Sequence, residues 1–530
     1  MSQLTESPQW QALQAHRAAM AGTHVRDLFA ADPRRFENFA VDAGPLMLDF
    51  SRHRASVETR DLLLSLAKAR EVAAWREKMF AGAPINTTEN RAVLHVALRG
   101  SGAGGHTDGA ADGAADGAAA AVRNQAREVL DRMGAIARAV RTGQWRGATG
   151  QVITDVVHIG IGGSDFGPRL LVDALRAGRP GPRVHFVANV DPDDLDDAIA
   201  ACSPESTLVV VISKTFTTIE TLTNAQAARD WLAQALGPAL ESHLVAVSNN
   251  VAAARAFGIA GINILPMAES VGGRYSVWSA VGLSVMIALG PEAFADLLTG
   301  AAAMDRHFLD APLEANAPVL LALMGIWYTN FWGAQAHGVL PYARRLDFLP
   351  DYLQQLEMES NGKRVDRQGN LVDYTTAPVL FGNVGANSQH SFHQLLHQGT
   401  RLVPVDFVLV DRKHAAQPFE RILLASALAQ AAALTHGATT PGHPEKDYPG
   451  NAPSTTIVLP ELTPHSLGAL IALYEHKVFV QGVVWNINSF DQMGVELGKS
   501  IAKTLLPAFE GGAAPANADS STLGLIRRLA

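Results

Sequence analysis

The chain has little cysteine and no cluster of positive charge, and each shortage excludes a class of protein. Cys202 is the only cysteine among 530 residues, which excludes an intrachain disulfide and a zinc site built from several cysteines. The formal net charge is −8 and no long run of Lys or Arg occurs. Because phosphate backbones require clustered positive charge, we do not expect a nucleic-acid binder. Any phosphate that binds here is expected to be small.

Signals for export and for membrane insertion are missing as well. The first six residues carry neither the basic region nor the apolar segment of a secretory signal. No stretch approaches a membrane-spanning length of unbroken apolar residues. Hydrophobic residues make up 48% of the chain, which is ample for the cores of more than one domain. The sequence therefore predicts a cytoplasmic protein that contacts neither membrane nor nucleic acid.

Short apolar runs alternate with helical stretches, a pattern typical of parallel sheets covered by helices. The runs occupy residues 156–159, 184–187, 208–212, 244–247 and 262–265, and then 339–342, 379–381, 405–410 and 455–459. We predict an α/β protein with two doubly wound parallel sheets, additional N-terminal helices and a C-terminal tail. The predicted segments are 1–99 (mainly helical, packing on the second sheet unit), 100–121 (an insertion), 122–290 and 291–507 (the two sheet units) and 508–530 (the tail).

Two N-terminal features and the insertion lead to specific expectations. Apolar periodicity predicts one helix over residues 59–79, and the polar segment 86–91 is interpreted as a helix entry rather than a site. Residues 100–121 consist largely of Gly, Ala and Asp, with an Asp-Gly-Ala-Ala repeat. The four-residue spacing does not fit a calcium loop, and bulky apolar residues are too few to pack. We predict a flexible surface insertion, remote from the chemistry, followed by a helix that begins at residue 122.

Four hydroxyl side chains surround a lysine where the third predicted strand ends. The segment Ser-Lys-Thr-Phe-Thr-Thr, residues 213–218, lies between an apolar run and a helical pattern over residues 219–236. The N–H groups and the dipole at a helix N-terminus favour an anion. A single Ser or Thr would be an ordinary N-cap, but four in six residues exceed that need. The segment is therefore predicted to bind a phosphate.

A glycine-rich segment, Gly-Ile-Gly-Gly-Ser-Asp at residues 160–165, follows the first predicted strand. Its glycines permit a close approach of backbone to a ligand. Asp165 stands where a dinucleotide fingerprint requires a third glycine, and the Gly-Lys-Ser/Thr of a nucleotide P-loop is absent. Gly163 and Ser164 are therefore candidate contacts for a sugar phosphate rather than for a nicotinamide cofactor.

An arginine and a glutamate are candidates for the chemistry itself. Arg274 follows two glycines, where its guanidinium could stabilise negative charge on a substrate oxygen, although a surface turn fits the pattern too. Glu359 lies in the last turn of a predicted helix that ends at Asn361. The negative end of a helix favours uptake of a proton, which suits a general base. An exposed, merely solubilising glutamate is equally compatible with the spacing.

Three histidines and a distant Gln/Lys pair complete the set of candidates. His390, His393 and His397 suggest zinc, but their segment contains no carboxylate, so one proton-transfer histidine and at least one structural histidine are the simpler interpretation. Gln492 and Lys499 share one face of a predicted helix, separated by about 10 Å along its axis. Such a pair is common on surfaces and indicates little alone.

Taken together, these segments resemble the glucose-6-phosphate isomerase family. The matching segments, in the family's order, are 160–168, 213–218 with Glu220, 272–276, 358–363, 389–390 with 397–400, and 494–499. They span nearly the whole chain apart from residues 100–121 and the extreme ends. The resemblance implies reversible conversion of glucose 6-phosphate to fructose 6-phosphate through a cis-enediol, in glycolysis and gluconeogenesis. It further implies no metal, no organic cofactor, and a homodimer with shared active sites.

The resemblance also implies a role for each matching residue. Glu359 would move the proton between C2 and C1, and Arg274 would stabilise the enediolate. The sugar ring would be opened by Lys499 and by His390 of the partner subunit, with the histidine oriented by Glu220. The phosphate and its surroundings would be contacted by Ser213, Lys214, Thr215, Thr218, Gly163, Ser164 and Gln492.

Two departures from the family pattern and two alternative functions remain. The insertion at residues 100–121 has no counterpart in that pattern. Ser388 stands where a glycine often precedes the Gln-His pair, which could slightly shift His390. A sugar-phosphate-binding protein without catalysis is one alternative, but it would not need Glu359, His390 and Lys499 together. An NAD-dependent oxidoreductase is the other, and Asp165 disfavours it.

Overall fold

A computed structural model describes residues 3–100, 116–411 and 418–530. The chain divides into two units, Met1–Ser489 and Phe490–Ala530, and each is described by itself. The strands of the first unit are β1 (Ala40–Ala43), β2 (Leu46–Arg52), β3 (Asp155–Ile159), β4 (Arg183–Val187), β5 (Thr207–Ile212), β6 (Leu244–Val247), β7 (Ile264–Leu265), β8 (Ala336–Pro341), β9 (Val379–Gly382), β10 (Val405–Val410) and β11 (Ser454–Leu459).

One sheet is entirely parallel, with the strand order β4-β3-β5-β6-β7. This order reverses direction at β3, as in doubly wound folds, which place ligands at the carboxyl ends of the strands around the switch point. All six residues of β5 are buried, as expected for a central strand covered on both faces. The predicted α/β class with parallel sheets is confirmed.

The other sheet is mixed, with the strand order β1-β2-β11-β10-β8-β9. Strands β11, β10, β8 and β9 are parallel, whereas β1 and β2 join antiparallel at one edge. The prediction of a mainly helical segment 1–99 therefore missed two strands, and a purely parallel second sheet was wrong at this edge. The strand β2 contains Asp49 and Ser51, which are buried and interrupt its apolar run, so it resembles no simple strand pattern.

Helices cover both sheets. Those of the first unit are α1 (Pro8–Ala19), α2 (Val25–Ala31), α3 (Arg35–Phe39), α4 (Val57–Ala69), α5 (Val72–Phe80), α6 (Asp116–Arg141), α7 (Phe166–Leu175), α8 (Pro192–Ala200), α9 (Ile219–Leu236), α10 (Val251–Ala256), α11 (Leu283–Leu289), α12 (Pro291–Asp310), α13 (Ala317–Ile326), α14 (Leu349–Gln354), α15 (His393–Gln398), α16 (Pro418–His436) and α17 (Pro464–Val484). The boundary predicted at residue 290 is the glycine between α11 and α12.

Two predicted helix boundaries were wrong. The single helix expected over residues 59–79 is split into α4 and α5, because Glu71 adopts a left-handed conformation with φ of 56°. Helix α6 begins at Asp116, so residues 116–121 belong to a helix rather than to the insertion. Ala119 explains this extension, because it is buried against Leu94. Residues 101–115 of the predicted insertion lie outside the described residues.

Helix α17 is the central core helix of the first unit. By length and composition alone it could cross a membrane, but its apolar window is wholly buried inside the protein. It carries buried polar groups whose partners are also in the interior. For example, the Lys477 ammonium lies 2.5 Å from the Glu357 carboxylate. A core helix that anchors neighbouring elements explains this composition.

The second unit, Phe490–Ala530, contains α18 (Glu496–Phe509) and α19 (Ser520–Leu529). Asp519 caps α19 by accepting hydrogen bonds from the backbone N–H groups of Ser521 and Thr522. Gln492 precedes α18 and Lys499 lies in its first turn, so the prediction that these two residues share one face of a helix was wrong. The Lys499 ammonium lies 3.0 Å from Glu496, and both side chains are exposed.

Candidate active site

Glu359 lies at the end of a π-helical turn. Helix α14 continues directly into this turn, Gln355–Glu359. Such turns recur at functional sites, and the apolar spacing did not predict one here. The Glu359 oxygen Oε2 accepts from the Gln355 amide at 3.1 Å and lies 3.3 Å from the Arg274 guanidinium. The structure thus brings two predicted catalytic residues together, beside a third residue that sequence reasoning missed.

Arg274 is buried, so the alternative of an exposed surface turn was wrong. It lies in a short 3₁₀ turn, Gly273–Tyr275, and its Nε donates to the Ser360 hydroxyl at 2.7 Å. A second guanidinium nitrogen donates to the Ser489 carbonyl at 2.6 Å. The Tyr275 hydroxyl exchanges a 3.0 Å hydrogen bond with Ser360, and burial raises the pKa of this tyrosine. Arg274 is therefore held in one orientation, facing Glu359.

The end of the Glu359 helix is anchored in the core through Asn361. This residue donates to the Val478 carbonyl on α17 at 3.0 Å and accepts from the Ser489 hydroxyl at 2.6 Å. Ser489 thereby connects the helix end to the Arg274 guanidinium. The sequence pattern marked Asn361 only as a helix-ending residue, whereas the structure shows that it joins three segments around the base.

The glycine segment after β3 packs against the Arg274 turn. A Cβ atom at Gly163 would lie 2.1 Å from the carbonyl carbon of Gly273, so no larger residue fits there. Gly162 has a positive φ of 61°, and a Cβ there would lie 3.1 Å from the Gln355 amide nitrogen. These glycines therefore allow close contact with other segments of the same chain, in addition to any contact with a ligand. Ser164, the other predicted contact, is half-buried.

The hydroxyl segment, residues 213–218, lies beside the glycine segment because β3 and β5 are adjacent. Phe216 has a positive φ of 52° and buries its ring in the core, which turns the segment sharply. The Thr218 hydroxyl pairs with Ser213 at 3.2 Å instead of capping α9, for which no side-chain cap occurs among the described residues. Thr215 and Thr217 pair at 2.7 Å. Hydroxyls and uncapped N–H groups therefore converge at the carboxyl end of β5, an arrangement suited to an anion.

Lys214 contacts a residue that the sequence did not mark. Its ammonium donates to the Glu269 carbonyl at 3.2 Å and lies 3.3 Å from the Glu269 carboxylate. Burial acts to raise the pKa of Glu269, but the hydrogen bond from Asn249 and the charge of Lys214 outweigh it, so this pKa is held below its usual value. Glu269 lies in no recognisable motif, and only the fold brings it to the loop.

The three histidines have different surroundings. His393 and His397 both face the Gln430 amide oxygen, at 3.1 and 2.7 Å, which is a structural arrangement. Ser388 is buried and its hydroxyl lies 3.3 Å from the His393 ring, so this departure from the family pattern supports His393. The His390 ring is exposed and has no hydrogen bond among the described residues. Glu220, in the first turn of α9, is half-buried.

The polar segment 86–91 is a closed loop, so its interpretation as a helix entry was wrong. Asn86 and Arg91 pair as an antiparallel bridge, and the Asn86 amide donates to Glu89 at 2.7 Å. Asn488 donates to the Asn86 side chain at 2.9 Å and to Thr88 at 2.7 Å. The loop therefore fixes Asn488, the residue before Ser489, and the Ser489 carbonyl accepts a hydrogen bond from Arg274. The sequence did not predict this contact.

Comparisons with known proteins agree on one family. A family model described as phosphoglucose isomerase matches residues 49–526. The chain is 49% identical to a glucose-6-phosphate isomerase of Methylococcus capsulatus and 48% identical to one of Dechloromonas aromatica, each over 99% of both chains. The crystal structure of a glucose-6-phosphate isomerase from Chlamydia trachomatis matches with a TM-score of 0.87 and 31% identity, covering 99% of both chains.

Proposed function

This chain belongs to the phosphoglucose isomerase family and interconverts glucose 6-phosphate and fructose 6-phosphate in glycolysis and gluconeogenesis, and we propose how its own residues carry out that reaction. The observation that carries the proposal is the position of the Glu359 carboxylate, 3.3 Å from the buried guanidinium of Arg274. A carboxylate beside a fixed positive charge can remove a proton from carbon while the charge stabilises the oxygen anion that forms.

Glu359 is the base in this proposal, and its Oε1 is the reacting oxygen. Gln355 donates to Oε2 of this carboxylate, and the Arg274 guanidinium pairs with the same oxygen at 3.3 Å. Oε1 therefore remains to take the proton from C2 of the open-chain aldose. The C2–H electrons form the C1–C2 double bond, the C1=O1 π electrons move to O1, and O1 takes a proton from solvent, which gives the cis-enediol; the O2 proton lost in the next step returns to solvent, so the two exchanges balance. Return of the proton from Oε1 to C1, with loss of the O2 proton, gives the ketose.

Arg274 stabilises the negative charge that develops on the substrate oxygens in the enediolate. A guanidinium remains charged and offers several donors in a fixed plane, so it needs no reorganisation during the proton transfer. Its bonds to Ser360 and Ser489 support this role, because they fix the plane before substrate binds. Gln355 helps by holding the same carboxylate from the preceding turn.

The loop at the carboxyl end of β5 holds the phosphate, which is the end of the sugar that does not react. Ser213, Thr215 and Thr218 offer hydroxyls, Lys214 offers an ammonium, and the first N–H groups of α9 complete the cradle. Gly163, Ser164 and Gln492 are assigned nearby contacts from the family motif. No cofactor or metal takes part in the reaction that we propose.

Ring opening is assigned to Lys499 and to His390 of the partner subunit, oriented by Glu220, in a cytoplasmic homodimer. The exposed His390 ring supports this assignment, because it has no hydrogen bond among the described residues of its own subunit. Mixing two inactive variants tests it. A heterodimer of Glu359→Gln and His390→Ala subunits keeps one intact site when each site takes its histidine from the partner. Activity should return on subunit exchange, and sites built from one chain would stay inactive.

The proton transfer itself is tested with glucose 6-phosphate in deuterated water. We expect fructose 6-phosphate that carries deuterium at C1, because the protonated base exchanges with solvent during part of its turnovers. Nuclear magnetic resonance of the product measures the label. A complete absence of product would overturn the assignment of the activity.

A further inference from the structure

Glu269 is fixed beside the loop that we assign to the phosphate. The Asn249 amide donates to its carboxylate at 2.5 Å, while the backbone N–H of Asn249 donates to the Lys214 carbonyl at 2.9 Å. The hydroxyl of Ser248 donates to the same carbonyl at 3.3 Å. One asparagine therefore holds both the carboxylate and the loop backbone, at the adjacent ends of β5 and β6.

The Lys214 ammonium is consequently engaged before any phosphate arrives. It lies 3.3 Å from the Glu269 carboxylate, which a second cation, Arg91, approaches at 3.8 Å. The Lys214 side chain is 28% exposed and the Glu269 side chain is 64% exposed, so an entering anion can reach both. A phosphate dianion in the loop would meet a negative charge next to the lysine that it needs.

We infer that Glu269 limits the affinity of this loop for phosphate, because its carboxylate competes for Lys214 and repels the dianion. The inference rests on the proposed role of residues 213–218. Substrate and product carry the same phosphate, so Glu269 weakens the binding of both equally. Glu269 is a positioning residue that acts through Lys214 and sets the affinity for phosphate. It favours release of the phosphate, which the hydroxyls and N–H donors of the loop would otherwise bind tightly.

The variant Glu269→Gln removes the charge while its amide oxygen can still accept from Asn249. We expect the KM values for both sugar phosphates, and the inhibition constant of inorganic phosphate, to fall about two- to fivefold at low salt. The factor should be the same in both reaction directions, kcat should change less, and added salt should shrink the effect. Glu241→Gln is the matched control. Glu241 is exposed and directly precedes β6, so it lies at the amino ends of the strands, away from the loop at their carboxyl ends. It should leave all three constants unchanged.

Two further variants make the outcome decisive. In a Lys214→Met background, Glu269→Gln should have a much smaller effect on the inhibition constant of phosphate, because the competition has been removed. An unchanged or raised constant in Glu269→Gln alone would overturn the inference. Ser213→Ala tests the premise separately: weaker phosphate inhibition in that variant supports the loop assignment. Parent-like inhibition in Ser213→Ala would refute the loop as the phosphate site, and the inference with it.

Discussion

The Arg274 guanidinium donates to the Ser360 hydroxyl at 2.7 Å, and Ser360 directly follows the proposed base in the chain. One serine therefore fixes the orientation of Arg274 relative to the neighbouring Glu359. Its hydroxyl also pairs with Tyr275 at 3.0 Å, and all of these groups except Glu359 are buried. Ser360 thus sets the geometry of Glu359 and Arg274, although it has no contact with substrate in the proposed reaction.

Ser360→Ala should lower kcat about tenfold with little change in KM. A hydrogen bond to a charged donor contributes about 1.5–3 kcal/mol, and tenfold in rate corresponds to about 1.4 kcal/mol of activation free energy. The loss falls on kcat because Arg274 acts on the charge that develops in the transition state. Steady-state kinetics in both directions measure the split. Tyr275→Phe is the comparison variant: it removes the bond to Ser360 and a side-chain hydrogen bond with Arg274, but Ser360 and Ser489 still hold the guanidinium, so its effect should be smaller. A parent-like kcat in Ser360→Ala would contradict this role.

Glu359→Gln should abolish isomerisation, with a loss of about 10³-fold in kcat, because an amide cannot accept the C2 proton. Binding of a sugar phosphate should remain largely intact, since the phosphate loop is unchanged. A coupled assay measures turnover. Calorimetric titration with a sugar phosphate whose C1 aldehyde is oxidised to a carboxylate measures binding. Near-normal turnover would remove Glu359 as the base.

Glu357, two positions earlier, should behave in the opposite way. Its carboxylate lies 2.5 Å from the Lys477 ammonium, with side-chain exposures of 2% and 1%. Glu357→Gln leaves a buried cation unpaired, which should cost about 3–5 kcal/mol of the free energy of unfolding, measured by denaturant titration. The kcat of the folded protein should stay close to that of the parent. Glu357→Leu with Lys477→Met should recover most of the stability, because no charge is then left unpaired. Full stability in Glu357→Gln would show that this pair is not needed.

The sequence predicted those parts of the fold that depend on local pattern. Strand β6 was predicted to the residue, and α9 likewise, because an apolar run or a helical period marks each. Strand β2 was missed because two buried polar residues, Asp49 and Ser51, interrupt its pattern. The sequence around these two residues does not indicate that they will be buried.

The same limit applies to the candidate site. The motif residues Arg274 and Glu359 were found from the sequence, but Gln355 and Glu269 were not. Gln355 reaches the base because the helix widens into a π turn, and helical periodicity alone does not indicate that change. Glu269 reaches Lys214 because β6 ends beside β5 and β7, which precedes Glu269, ends beside β6. Contacts of this kind arise from tertiary packing, so they require the structure.

Below the glycine segment, a buried histidine makes stability dependent on pH. His158 on β3 faces the Ser284 hydroxyl at 2.8 Å and the Ser164 carbonyl at 2.7 Å. Burial lowers its pKa to about 4 from the ordinary 6.5, although the bond to Ser164 acts in the opposite direction. The neutral ring is therefore part of the fold.

We expect this histidine to destabilise the protein as the pH falls from about 6.5 to about 4. In that window the unfolded chain binds a proton that the folded chain does not, so the free energy of unfolding decreases, in total by about 3 kcal/mol from this group. Its contribution is complete above pH 6.5. Denaturant titrations across this range should show a smaller slope with pH in His158→Gln than in the parent. His443→Gln, at an exposed histidine, is the control and should keep the parent slope. An unchanged slope in His158→Gln would mean that the folded protein accepts the proton as readily as the unfolded chain, which a buried ring donating to a carbonyl should not do.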